Sequence, residues 1–88
     1  MNASPDLSRI LADNIQRLAR RRGIALAHLA DRAGIGRTTL WRLLDVNRRG
    51  PSDPRLSTVA SLAAVLCVHP ADLLRAQALD DPGRDVMP

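Results

Sequence analysis

Between Ile24 and Leu44 two short runs of apolar residues meet at one glycine, and that spacing admits few folds. In the first run Leu29, Ala30 and Ala33 lie three and four residues apart, so they share one helical face, with Leu26 one turn earlier. Gly34 adopts a positive φ at little steric cost, which lets this helix end and the chain reverse without strain. Beyond Ile35, Leu40 and Leu43 turn back onto the first helix. Two helices crossing at about 90–120° touch where Ala30 lies, and a larger side chain there would hold them apart. Arg37, Thr38, Trp41 and Arg42 are left together on the outer side of the second helix.

The flanking segments supply a frame for this pair. Ser4-Pro5-Asp6 is a strong helix start, with a capping serine, a proline where no N–H is needed, and an acid at the positive end of the dipole. Leu7, Ile10, Leu11, Ile15 and Leu18 then form one apolar stripe. The helix is expected to end at Arg20-Arg21-Arg22, with Gly23 as its C-cap and Ile24 folding back against it. Three arginines suit the negative end of that helix, and they suit phosphate contacts as well. Asp45 to Pro54 reads as a loop from its Asn, Gly, two Pro and two Asp. Asp53-Pro54 opens a fourth helix whose face is expected to be Leu56, Val59, Ala60, Ala63 and Leu66. Cys67 follows as a buried or helix-terminal thiol, and His69-Pro70-Ala71-Asp72 opens a short fifth helix carrying Leu73 and Leu74. The chain therefore divides into an arm (1–5), an all-α five-helix domain (6–75) and a tail (76–88) expected to be disordered or to extend the last helix as far as Leu79.

Charge distribution narrows the function. All 13 basic residues are Arg and all 9 acidic ones Asp, giving a formal net charge of +4. Eleven of the arginines fall between Arg9 and Arg55, against four aspartates there, a footprint that suits a polyanion. No nucleophile stands with a base, and no glycine loop suits a phosphate, so an enzyme is not expected. Cys67, His28 and His69 have no metal-site spacing, so neither a metal nor a cofactor is expected, and both histidines read as surface or capping residues. A single cysteine fits a reducing cytoplasm. The longest apolar run, Val59 to Val68 interrupted by Ser61, is too short to span a bilayer, and the N-terminus lacks a signal-peptide pattern. A cytoplasmic protein without a membrane partner is expected.

Leu29-Ala30, Ala33-Gly34-Ile35, Thr39-Leu40 and Leu43, followed by Pro54, Leu66, Val68 and Leu73-Leu74, resemble the helix-turn-helix domain of the Cro/phage-repressor (XRE) family of bacterial regulators. The resemblance runs from about Asp13 to Leu74. It implies a lambda-repressor-like fold with the helix-turn-helix at helices 2 and 3, and a transcriptional regulator, a repressor in the first reading, that binds double-stranded DNA. The third helix would enter the major groove with Arg37, Thr38, Trp41 and Arg42 against base edges. Thr39, Arg48, Arg49 and Arg22 would meet phosphates.

Four positions depart from the family pattern. Leu26 stands where many members have Gln, Gly36 where Ser or Thr commonly caps the recognition helix, Leu44 where an acid is frequent, and Cys67 where Gly often closes the fourth helix. Leu26, Trp41 and Leu44 make the module greasier than a DNA reader requires. They support an alternative in which the fold serves as a protein-interaction module, such as an antitoxin or accessory factor, with a partner held through Leu26 and Trp41. One recognition helix reads few bases, so a homodimer on a pseudo-palindromic operator is expected, with its two helices about 34–36 Å apart. Leu73, Leu74 and Leu79, with Val65 nearby, are the apolar residues left to build its interface; the alternative for Leu73 and Leu74 is that they close the core.

Overall fold

The computed structural model describes residues 7–45 and 54–76, which form five helices: α1 (Leu7–Arg21), α2 (Leu26–Ala33), α3 (Arg37–Leu44), α4 (Leu56–Leu66) and α5 (Pro70–Leu73). The expected arm with its Ser4 start, the loop bearing Arg48 and Arg49, and the tail bearing Leu79 lie outside the described residues. Helix α3 packs on α1 and α2, α2 on α4, and α5 on α4 and α1, so each element contributes to one shared core. Leu11, Ile15, Leu29, Leu40, Leu62, Leu66 and Leu73 are its largest fully buried apolar side chains.

Three of the helices stop in the same way. After α1, Gly23 (φ 66°) lets Ile24 N–H reach the Ala19 carbonyl at 2.9 Å. After α2, Gly34 (φ 74°) lets Ile35 N–H reach Ala30 O at 3.0 Å. After α4, Cys67 takes this place with φ 59°, and Val68 N–H bonds Ala63 O at 3.0 Å. Each is a left-handed cap that satisfies carbonyls the helix would otherwise orphan. Each also folds an apolar residue (Ile24, Ile35 or Val68) back onto the core. Cys67 is the only non-glycine residue with positive φ among the described residues. Its thiol is exposed, so helix termination accounts for its position.

The start of α5 is fixed by side chains. Ala71 N–H donates to Nδ1 of His69 at 3.1 Å, and His69 N–H donates to Oδ2 of Asp72 at 3.2 Å, a reciprocal capping box with Pro70 at the first helical position. Of the two histidines expected at the surface or at caps, His69 is a cap.

Two apolar faces differ from the sequence expectation. In α4 the buried residues are Val59, Leu62, Ala63 and Leu66, whereas Leu56 is 82 % exposed and Ala60 is exposed. The helix begins at Leu56, so Leu56 sits in the first turn before the helix meets its neighbours, and Leu62 takes the inward place assigned to Ala60. In α1 the inward face is centred on Leu11, Ala12, Ile15 and Ala19, while Leu7 is half-exposed.

The inward face of α1 also carries a polar residue, Asn14. Its Nδ2 donates to the carbonyls of Leu73 (2.8 Å) and Arg75 (3.0 Å), with a longer contact to Asp72 O (3.4 Å), and its Oδ1 accepts from Arg17 Nη2 at 3.1 Å. A buried amide requires such partners, and these carbonyls lie at the end of α5 where no further helical turn satisfies them. Asn14 therefore ties α5 to α1.

Asn14→Asp keeps the shape but turns an acceptor toward those carbonyls. It is expected to lower unfolding free energy by about 2–3 kcal/mol, read from the urea midpoint at unchanged m. Cys67→Gly removes a left-handed penalty of about 1–2 kcal/mol and gives back part of it through a freer unfolded chain. The same measurement is expected to show a net gain of about 0.5–1 kcal/mol.

Candidate nucleic-acid interface

Helix α3 has a buried side and an exposed side. Leu40 and Leu43 are buried in the core and Leu44 is partly buried against it, whereas Arg37, Thr38, Thr39, Trp41 and Arg42 are exposed. At 3.6 residues per turn, Thr38, Trp41 and Arg42 lie opposite the Leu40–Leu43 face, and Arg37 and Thr39 flank it. Trp41, the chain's only aromatic residue, is 47 % exposed. The expected base-contacting residues are thus displayed together on one short helix.

Gly36 caps α3 in an extended conformation without a side-chain bond to the helix amides. The orientation of α3 comes instead from its apolar side and from the joint with α2. Ala30 is fully buried, and its carbonyl receives Ile35 N–H across the turn.

Asp31 belongs to this surface, and the sequence reading missed it. It stands in the last turn of α2, where its carbonyl accepts Gly34 N–H at 3.2 Å. Its carboxylate takes two bonds from Arg37, Nη2 to Oδ2 at 2.7 Å and Nε to Oδ1 at 3.2 Å. An acid at the end of a helix and a base at the start of the next each oppose the local dipole. Pairing them offsets both misplacements. The spacing i, i+6 is no helical pattern; only the turn at Gly34 brings the two together. Hydrogen bonding from Arg37 holds the Asp31 carboxyl below the usual carboxylate range against the opposing effect of desolvation, with a further lowering from the electrostatics of Arg37 and His28. The same bonds push the Arg37 guanidinium up.

Other expectations change in contact with the fold. Leu26 is partly buried against the core, as is Leu44, so of the three residues that suggested a greasy surface only Trp41 is largely open. Leu73 is fully buried within its own chain and has no surface to offer a second copy; the turn into α5 lays it against α1 and α4. Leu74 and Val65 are partly buried and keep some exposed area. Arg22 is exposed beyond the end of α1. Among the described residues no group of three or more His, Cys or Asp could hold a metal ion, and no helix is long and apolar enough to cross a membrane.

Among the described residues, five helices with a left-handed cap at Gly34 between α2 and α3, and an arginine-bearing α3 turned outward, define a helix-turn-helix fold. Residues 14–78 match the Cro/C1-type HTH DNA-binding domain, and the chain belongs to that family. Its fold is similar to that of the hypothetical transcription factor NHTF from Neisseria, with a TM-score of 0.73 and 26% sequence identity over 88% of this chain and 88% of that one. A search of curated proteins gave no match.

Because Arg37 depresses the Asp31 carboxyl, Arg37→Ala is expected to move its titration midpoint up toward the ordinary aspartate value, as followed by carboxyl-carbon NMR. The linkage sign follows from a lowered folded-state pKa: the pair's contribution to stability is present at neutral pH and is lost as pH falls through the folded-state value of Asp31.

Proposed function

We propose that this protein is a sequence-specific transcriptional regulator, acting as a repressor, that reads the major groove with α3 as a dimer on a pseudo-palindromic operator. The observation that carries this reading is the common exposure of Arg37, Thr38, Trp41 and Arg42 on a helix whose other side is locked into the core. Arg37 and Arg42 have the fork geometry that pairs with guanine, Thr38 reaches bases of either kind, and Trp41 packs on sugar or thymine methyls. Thr39, at the flank of α3, and Arg22, beyond α1, serve as phosphate contacts, together with Arg48 and Arg49 in the connection to α4. Membership of a DNA-binding family and likeness to a transcription factor support the same reading. With Leu73 committed to the core, the dimer contact falls to Leu74 and Val65, continued by Leu79.

The protein-partner alternative rested on Leu26, Trp41 and Leu44. The packing of Leu26 and Leu44 against the core leaves it with Trp41 alone.

Trp41 is the only Trp, and the chain has neither Tyr nor Phe, so its emission reports on α3 alone. Titration with a duplex selected from random sequence is expected to change that emission. The logarithm of the binding constant is expected to fall linearly with the logarithm of salt concentration. Arg37→Ala is expected to weaken the selected duplex roughly 10- to 100-fold, with a smaller loss on random DNA. Unchanged emission at saturating DNA, or salt-independent affinity, would overturn groove reading by α3. Sedimentation with the same duplex gives the stoichiometry, and one chain per site would overturn the dimer.

A further inference from the structure

The way Asp31 holds Arg37 divides the guanidinium into a used part and an unused part. A guanidinium carries five N–H bonds in a rigid plane and has two edges suited to a two-pronged acceptor: Nε with one terminal nitrogen, and the two terminal nitrogens together. Asp31 occupies the first edge through Nε and Nη2. The second edge keeps one N–H on each terminal nitrogen, parallel and directed away from Asp31. Among the described residues Nη1 has no acceptor. That edge matches the O6 and N7 acceptors that guanine presents in the major groove.

We propose that Asp31 is a positioning residue for base recognition: it clamps the Nε/Nη2 edge of Arg37 so that the Nη1/Nη2 edge meets a guanine. This rests on the reading that Arg37 reaches a base. A free arginine on an exposed helix face samples many rotamers and reaches phosphates as readily as bases. Held at two atoms from the neighbouring helix, Arg37 gives up those alternatives before DNA arrives, and the cost of ordering it is met within the folded domain. The acid also acts on the wrong complexes. An Arg37 that swings to a phosphate leaves Asp31 as an uncompensated negative charge beside the DNA backbone, so random duplex is disfavoured more than the matched site. Two charges at unfavourable helix ends, 60 % and 53 % exposed, add little to stability and serve recognition instead.

The test compares wild type, Asp31→Ala, Asp31→Asn, Arg37→Ala and the double variant Asp31→Ala/Arg37→Ala. Each is titrated with the duplex selected by the wild type, with that duplex changed at each guanine in turn, and with random duplex. Because both side chains are largely exposed, unfolding midpoints are expected to stay near wild type. In Asp31→Ala, discrimination at one guanine is expected to fall about three- to tenfold, while affinity for random duplex rises. Asp31→Asn, which keeps one acceptor oxygen, is expected to fall between the two. In the Arg37→Ala background, removing Asp31 is expected to change discrimination no further. If Asp31→Ala tightens every duplex by the same factor and leaves discrimination intact, Asp31 merely repels DNA and the proposal is overturned while base reading by Arg37 stands. Equal loss of discrimination with and without Arg37 also overturns it. If Arg37→Ala itself leaves discrimination unchanged, or the wild type enriches no sequence, base reading fails and the proposal fails with it.

Discussion

The exposed face of α3 depends on the joint between α2 and α3, which Ile35 N–H closes on the Ala30 carbonyl. Both helices have eight residues, too few to persist alone, and neither has a side-chain N-cap. Their stability comes from the core and from the turn between them. Ala30 contributes a methyl buried in the core and a carbonyl that accepts Ile35 N–H, so one residue serves packing and chain reversal together. With the joint closed, Leu29 and Leu40 are fully buried, and the outward direction of Thr38 and Arg42 follows from helical geometry.

What the sequence made legible was local. Gly23 and Gly34 were readable as left-handed caps because both the residue and the apolar residue after it are adjacent in the chain. The His69-to-Asp72 spacing was readable as a cap for the same reason. The inward face of α4 was readable only in part: Val59, Ala63 and Leu66 are buried as expected, but Leu62 was missed because Val59 to Val68 is apolar almost throughout and carries little directional information. Leu56 was expected inside and is exposed, and Leu73, for which interface and core were both open, is in the core. Their places depend on where α4 starts and how α5 turns, which no periodicity records. Leu26 was judged by its departure from the family pattern rather than by what it packs against.

Most of the candidate surface was legible for a related reason: once Leu40 and Leu43 are assigned inward, the outward residues of α3 follow. Asp31 was not, since its significance comes from a partner six residues away across a reversal of the chain. Asn14 was harder still. An asparagine among apolar residues in a helix reads as an interruption until the carbonyls it serves, 58 to 61 residues distant, are in place. Polar residues whose roles rest on tertiary pairing are where pattern reading ends.

That long span has a bearing on how the domain is made. During synthesis α1 emerges first and α5 last, so Asn14 waits for its carbonyl partners until the chain through Arg75 has cleared the ribosome. Helices α2 and α3 can meet earlier, since their joint is built from neighbours in sequence. The pair α2–α3 can thus take shape before its foundation on α1 is complete. Helix α3 packs on α1, and α1 is tied in turn to the end of α5 through Asn14. Shortening the chain ahead of Arg75 would therefore take partners from Asn14 and act on the helix that α3 rests on, far in sequence from α3 itself.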